Sequence, residues 1–347
     1  MRLQFLAFVL ITFVVRICGE EEVIDGSFVT EQRGYFKREH SLIKPYQGAG
    51  MDVNYWDITG STMVTSQQIR LTQNLQGRRG GIWNAMPVQT RDWEMAVSFK
   101  VHGDSGKLFG DGIAIWYVRD RAQIGDVFGA PNHFSGLGLF IDTYSNSYKD
   151  YMARILCLIG HTFPYIYSMI SNGTDKYDHD TDGSATQLGG SDAGCEVKVR
   201  NKEYDTQVLI RYVGDTLTVF EDTENNGRWK QCFRVPGVHL PTNYYFGLTA
   251  ATGDLSDNHD IISVKVYEIE YARAVNPMEI NPGQILPNAE FQAAPRDHSS
   301  NPQPSKLSSW AKYLLIFIGI VATVGGIAVF GYLYYQDRQS RSRKRFY

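Results

Sequence analysis

Two short stretches carry residues whose types and spacing suit the capture of a hard cation. The run Gly138-Leu-Phe-Ile-Asp142-Thr-Tyr144-Ser-Asn146 is a strand of apolar residues that ends in oxygen donors. Asp142 and Asn146 offer side-chain oxygens and the Tyr144 carbonyl a third, spaced so that one turn of loop can wrap a calcium ion. Downstream, Tyr177-Asp-His179-Asp-Thr-Asp182 supplies another carboxylate and an imidazole. An isolated Asp-x-Tyr-x-Asn is more often a solvated turn after a core strand, so the reading needs support from the rest of the chain.

That support comes from three further features. Gly110-Asp111-Gly112 opens a buried apolar run, Asp178-His179 sits in the acidic turn, and Gly253-Asp254-Leu255 follows a predicted strand. A carbohydrate site needs this mix: a carboxylate that accepts from sugar hydroxyls, an amide that donates, and glycine-flanked backbone that lets a sugar approach. Taken singly, Gly-Asp-Gly is more often a turn and a lone His more often a surface residue. Catalysis is less well served. Glu268 and Glu270 fall on one face of the last predicted strand, as a retaining glycosidase would need, but they read more simply as solvated acids at a strand end. No nucleophile elbow or zinc spacing appears.

The elements that must position these groups are strands. Trp93-Glu-Met-Ala-Val-Ser-Phe-Lys-Val101 alternates as a half-buried strand, with large apolar groups on one face. Gly112 to Val118 and Gly136 to Ile141 are continuous apolar runs, expected at the centre of a sandwich. Val208–Tyr212 and Thr216–Phe220 are joined by Gly214-Asp215, a hairpin signal, and strands are expected over 244–250 and 261–271. With no long 3.6-residue period between 25 and 271, the fold class is all-β, a single jelly-roll sandwich.

The two ends differ from the body. Residues 1–19 read as a signal peptide, despite the intrusion of Arg16. Tyr313 to Tyr335 is uncharged and would be about 34 Å long as a helix, which predicts a transmembrane helix over 312–335. Between them, residues 20–271 form the lumenal domain and 272–311 a Pro-rich stalk, with 336–347 as a basic cytosolic tail. The stalk lacks apolar heptads, so a monomer is expected. The formal charge of −3 becomes −9 for residues 20–335 once the +2 of residues 1–19 and the +4 of the tail are set aside. An acidic body argues against nucleic acid as a partner and suits a cation. Cys18 lies in the signal, whereas Cys195 and Cys232 flank strand-like segments in an oxidising compartment and are the expected disulfide, which leaves Cys157 over. Asn172-Gly-Thr174 is a glycosylation sequon.

Several longer motifs then carry a resemblance. Lys37 to Gln47, Gly110-Asp-Gly, Asp142-Thr-Tyr-x-Asn146, Phe163-Pro-Tyr-Ile, Tyr177-Asp-His179, Tyr244-Tyr-Phe-Gly, Thr252 to Ile262 and the terminal Ser-Arg-Lys-Arg-Phe-Tyr347 closely resemble the legume-type lectins of the animal early secretory pathway. The resemblance spans the lumenal domain and reaches the last residues of the tail.

What it implies can be placed on this chain. It implies a concanavalin A-like sandwich with calcium held by Asp142, the Tyr144 carbonyl, Asn146 and Asp182. High-mannose contacts fall on Asp111, Asn146, His179 and the Gly253-Asp254-Leu255 segment, and the Gly110–Asp111 bond is expected to be cis. Gly77 stands where the family commonly has a pocket serine. Residues 147–162 are about twice the family's usual loop, leaving open a distinct pocket wall or a variant transcript. Arg343-Lys344-Arg345 resembles a basic retention signal, while Phe346-Tyr347 resembles an export signal read by vesicle coats. The implied function is calcium-dependent binding of high-mannose glycoproteins during sorting, transport or quality control among endoplasmic reticulum, intermediate compartment and Golgi. Acid is expected to protonate the calcium carboxylates and His179 and so release cargo. A trafficking receptor with a decayed sugar site and a glycan-trimming hydrolase are the alternatives.

Overall fold

Apolar runs that lack alternation need cover on both faces, and the tertiary structure supplies it. The computed structural model describes residues 23–24, 34–46, 53–104, 109–146, 161–190, 193–273 and 281–290, together with Val329, Tyr332, Tyr334 and Tyr335. The chain divides into Met1–Pro295 and Arg296–Tyr347. In the second unit the four described positions are helical and exposed. No helix among the described residues is long and apolar enough to cross a membrane. The expected signal peptide, most of the span at 312–335 and the whole tail, including Arg343, Lys344, Arg345, Phe346 and Tyr347, lie outside the described residues, as do Cys157 and residues 147–160.

The first unit is built of strands β1 (Val23–Ile24), β2 (Tyr35–Phe36), β3 (Trp56–Gly60), β4 (Met63–Val64), β5 (Ile69–Thr72) and β6 (Arg79–Asn84). The central strands follow as β7 (Trp93–His102), β8 (Gly112–Val118), β9 (Ser135–Asp142), β10 (Tyr165–Asn172) and β11 (Gly194–Glu196). The last are β12 (Thr206–Val213), β13 (Thr216–Asp222), β14 (Trp229–Pro236), β15 (Val238–His239), β16 (Tyr245–Ala251), β17 (Asn258–Glu268) and β18 (Asn288–Ala289). One sheet has the order β1-β14-β13-β12-β7-β17-β5-β4, with β2 also on β17; the other runs β11-β10-β9-β8-β16-β6-β3. All pairings within the two sheets are antiparallel.

The main core lies between the sheets and takes alternate residues from each strand. Ile113, Ile115 and Tyr117 of β8 and Leu137, Leu139 and Ile141 of β9 meet Met95, Val97 and Phe99 of β7 there. The intervening residues form a second, aromatic core on the outer face of the seven-stranded sheet: Trp116 of β8, Phe140 of β9 and Tyr165 and Tyr167 of β10, under Phe128 and Tyr177. That second core explains the continuous apolar runs. Gly214 and Asp215 have φ of +57° and +56°, both central residues of the expected hairpin turn being left-handed.

Three expectations need correction. β7 is half-buried only in its second half, where Ser98, Lys100 and His102 are partly exposed; in its first half Glu94 on the outer face is fully buried because Arg211 donates to it at 2.6 and 2.8 Å, and a paired charge can enter the interior. β17 ends at Glu268, so Glu270 does not share a strand face with it, and Glu268 instead accepts from Lys37 at 3.3 Å. Part of the segment expected as a stalk packs on the body. Residues 281–290 return to the body, where β18 pairs with β15 and Glu290 N–H donates to the Gly237 carbonyl at 3.0 Å. Arg273 ties down the preceding stretch by donating to Asp92 at 2.6 Å and Asp215 at 2.9 Å. Cys195 and Cys232 are disulfide-bonded, joining β11 to β14.

Candidate functional site

The ends of β8, β9 and β16 deliver the candidate residues to one rim. The antiparallel register sets Gly112 opposite Asp142 and Ala251 opposite Gly112, so the loops that continue from these residues emerge together. Asp111 is fastened to both neighbours. Its N–H donates to the Ala251 carbonyl at 3.1 Å, and its carbonyl accepts from the Thr143 N–H and hydroxyl, each at 2.9 Å. The Gly110–Asp111 bond is cis.

Asp111 is the centre of the polar rim. Burial raises its carboxyl above the usual range, while His179, the Gly253 N–H and Arg79 pull it down. A methyl group at Gly253 would lie 3.1 Å from Asp111 Oδ1, so glycine is what lets this backbone approach the carboxylate. The loop is braced from the other side. Gly77 N–H donates to the Gly253 carbonyl at 3.1 Å, and Gln76 Nε2 donates to that of Asp254 at 2.8 Å. Gly77 has a φ of +64°, and no atom lies within 4 Å of where its Cβ would be. Glycine adopts this left-handed backbone without strain. Leu255 and Tyr144 flank Gly110, at 3.6 and 3.3 Å from its hypothetical Cβ.

The cation-binding candidates gather beside this rim. Asp142 is buried at the end of β9, with Oδ1 accepting from Tyr144 N–H at 3.0 Å and Oδ2 from the Tyr167 hydroxyl at 3.1 Å. Asp182 is also buried, at the left-handed end of a 3₁₀ turn over His179–Thr181, and accepts from the Asn146 N–H at 2.8 Å and the Ser145 hydroxyl at 3.4 Å. Burial first, then the Asp182 charge, lifts the Asp142 carboxyl well above its ordinary value, and Asp111 adds to the lift. Mutually repelling carboxylates at a loop junction, with an amide and a carbonyl adjacent in sequence, are the donor chemistry of a hard divalent cation. Asn146 meets Asp182 through its backbone and is exposed. Among the described residues no three His, Cys, Asp or Glu side chains sit at mutual metal-ligand separation, so two carboxylates plus neutral oxygens are the set that fits.

Several residues at this site carried no signal of their own in the sequence. Arg200 donates to the fully buried Asp257 at 2.7 and 2.9 Å and to the Asp104 carbonyl at 2.8 Å, and its guanidinium lies 4.5 Å from the Phe109 ring. It thereby links the segment before Asp111 to the end of the 253–257 loop. Thr252 donates to the Leu75 carbonyl at 2.6 Å and accepts from Arg78 N–H at 2.9 Å. Tyr177 touches the His179 ring edge-on, centroids 4.8 Å apart. Tyr177 and Thr252 were marked only as members of the Tyr177-Asp-His179 and Thr252 to Ile262 motifs.

Known proteins share this arrangement of sequence. A family model described as legume-like lectin matches residues 33–276. The VIP36-like protein of Homo sapiens is 45% identical over 315 residues, spanning 90% of this chain and 86% of its own length. The vesicular integral-membrane protein VIP36 of Mus musculus is 44% identical over 319 residues, spanning 90% and 85%. The crystal structure of the VIP36 exoplasmic/lumenal domain in its Ca2+/Man3GlcNAc-bound form matches with a TM-score of 0.66 and 46% identity, over 74% of this chain and 100% of that one. On the family match and on identity across nine-tenths of its length, the chain belongs to the legume-like lectin family.

Proposed function

We propose that this chain is a calcium-dependent lectin that binds high-mannose N-glycans on glycoproteins and serves their sorting, transport or quality control between endoplasmic reticulum and Golgi. The observation that carries the reading is the meeting of Asp111, His179 and the Gly253-Asp254-Leu255 loop beside the buried pair Asp142 and Asp182. Support also comes from VIP36, whose lumenal domain, 46% identical to this chain, has a Ca2+/Man3GlcNAc-bound form. Asp142, the Tyr144 carbonyl, Asn146 and Asp182 would hold the ion, which supplies a fixed positive centre that cancels carboxylate repulsion. Asp111 would accept from two sugar hydroxyls, with His179, Asn146 and the 253–255 segment completing the pocket and Gly77 at its rim. No bond is broken in this reading, since Glu268 is engaged with Lys37 and Glu270 lies past the strand.

The remaining organisation is proposed on the sequence. A signal peptide at 1–19 and a span at 312–335 make a single-pass type I membrane protein, monomeric, whose tail meets vesicle coat components through Arg343-Lys344-Arg345 and Phe346-Tyr347. A glycan is placed on Asn172, exposed at the end of β10, whose Oδ1 accepts from the Thr174 N–H at 3.0 Å and hydroxyl at 2.6 Å. Treatment of the secretory-pathway product with an N-glycanase should remove one glycan's mass. Asn172→Gln should abolish that shift and change stability by no more than about 0.5 kcal/mol, as surface replacements do.

The deciding experiment is a glycan array read with and without chelator. Signal confined to mannose-terminated glycans, lost on chelation and restored by calcium, is the expected outcome. Signal that survives chelation would remove the calcium dependence, and none on any glycan would remove the lectin reading and leave the trafficking receptor with a decayed site.

A further inference from the structure

Beneath the candidate calcium site lies a pair of buried phenols that neither the cation set nor the sugar set uses. Tyr167 projects from β10 on the same face as Phe140 and Asp142, the strand register placing it diagonally across from Asp142. Its hydroxyl donates to Asp142 Oδ2 at 3.1 Å, and the Tyr177 hydroxyl lies 2.5 Å from it. Each phenol carries one proton. Because the proton of Tyr167 is given to Asp142, the bond between the phenols must be donated by Tyr177. The two therefore form a one-way chain of donors that ends on the carboxylate. Both side chains are essentially inaccessible to solvent.

Tyr177 also touches the other parts of the site. Its backbone is clamped by Asn132, whose amide accepts from Tyr177 N–H at 2.8 Å and donates to its carbonyl at 3.0 Å. One edge of the ring packs under Gly183, where an added Cβ would lie 2.6 Å from it, directly after Asp182. The ring also meets His179 in a T-shaped contact at 4.8 Å. One buried ring thus reaches Asp142 through Tyr167, adjoins the backbone that presents Asp182, and packs against the imidazole of His179.

We propose that Tyr167 and Tyr177 are positioning residues that orient the Asp142 carboxylate for calcium and tie its position to that of His179. The inference rests on the calcium-lectin reading. Partners in the outer shell of a metal carboxylate fix its orientation, and their removal typically weakens metal binding about 10- to 100-fold.

The test uses the full chain purified in detergent, with calcium titrated calorimetrically and binding of a mannose-terminated glycan measured at several calcium concentrations. Tyr167→Phe should weaken calcium about 10- to 100-fold, and its glycan deficit should be recovered by raising calcium. Tyr177→Phe keeps the ring and should weaken calcium by less. Tyr177→Leu removes the support of His179, and its glycan deficit should persist at saturating calcium. Thermal unfolding without calcium separates these effects from misfolding; if Tyr167→Phe is not folded, Tyr177→Phe carries the calcium arm. Wild-type calcium affinity in both phenylalanine variants would overturn the proposal while leaving the lectin reading intact. Failure of the wild-type chain to take up calcium would instead overturn the lectin reading itself.

Discussion

Asp111→Asn should lower affinity for mannose-terminated glycans by at least about 100-fold, with an unfolding temperature close to that of the wild type. Two hydrogen bonds from sugar hydroxyls to a carboxylate contribute roughly 1.5–3 kcal/mol each, and an amide offers one oxygen in place of two and no charge. The geometry makes the loss specific. The Asp111 backbone is held by Ala251 and Thr143 whatever its side chain is, so the fold around it should survive. The Gly253 N–H, which donates to the carboxylate, finds an acceptor in the asparagine only if the amide turns its oxygen that way, leaving the NH₂ toward the sugar. Titration of the variant with a high-mannose glycan at saturating calcium reads the effect, and affinity within threefold of wild type would exclude Asp111 from the pocket.

His259 alone should take about 3 kcal/mol of stability from the calcium-free chain between pH 6.5 and pH 4. His259 is fully buried; its Nδ1 lies 2.7 Å from the Thr72 hydroxyl and its Nε2 has no hydrogen-bond partner among the described residues. Burial pushes it down from 6.5 to about 3, with Asp260 opposing and His102 reinforcing the shift. A folded value below the unfolded one means that between them the unfolded chain binds the proton that the folded chain refuses. The stability is therefore complete above pH 6.5 and declines as pH falls toward 3, by about 1.4 kcal/mol per unit.

Asp142 acts in the opposite sense when calcium is absent. Its raised carboxyl takes up a proton more readily in the folded chain, so the test compares wild type with His259→Gln in the same chelating buffer. The variant should show the shallower loss of unfolding free energy between pH 6.5 and 4. Equal slopes would show that His259 does not govern the decline. Because Thr72 also donates to the Asp257 carbonyl at 3.4 Å, the acid-sensitive group is wired to the loop that would hold mannose. Acid should loosen the pocket from below as well as at the cation.

How much of this was written in the chain can be judged residue by residue. The apolar runs 112–118 and 136–141 marked β8 and β9, since backbone pleating and side-chain volume are local matters. Gly214-Asp215 fixed a hairpin through the left-handed conformation that both residues tolerate. The oxygen donors at 142–146 were legible because loop ligands for a cation recur at short spacing. The three corrections concern long-range partners. Nothing near Glu94 announced Arg211, and nothing near 281–290 announced the β15 edge on which it lies.

The sequence by itself determined the strands, the disulfide candidates and the identity of the oxygen and imidazole groups, because these depend on residue type and near neighbours. Only the tertiary structure decided that Asp111, Asp142, His179 and Gly253 share one rim, because antiparallel register and loop closure bring together segments that no local pattern relates. It also decided which face of each strand is dry. The second aromatic core, and with it the Tyr167–Tyr177 pair under Asp142, exists because distant loops cover the outside of the seven-stranded sheet.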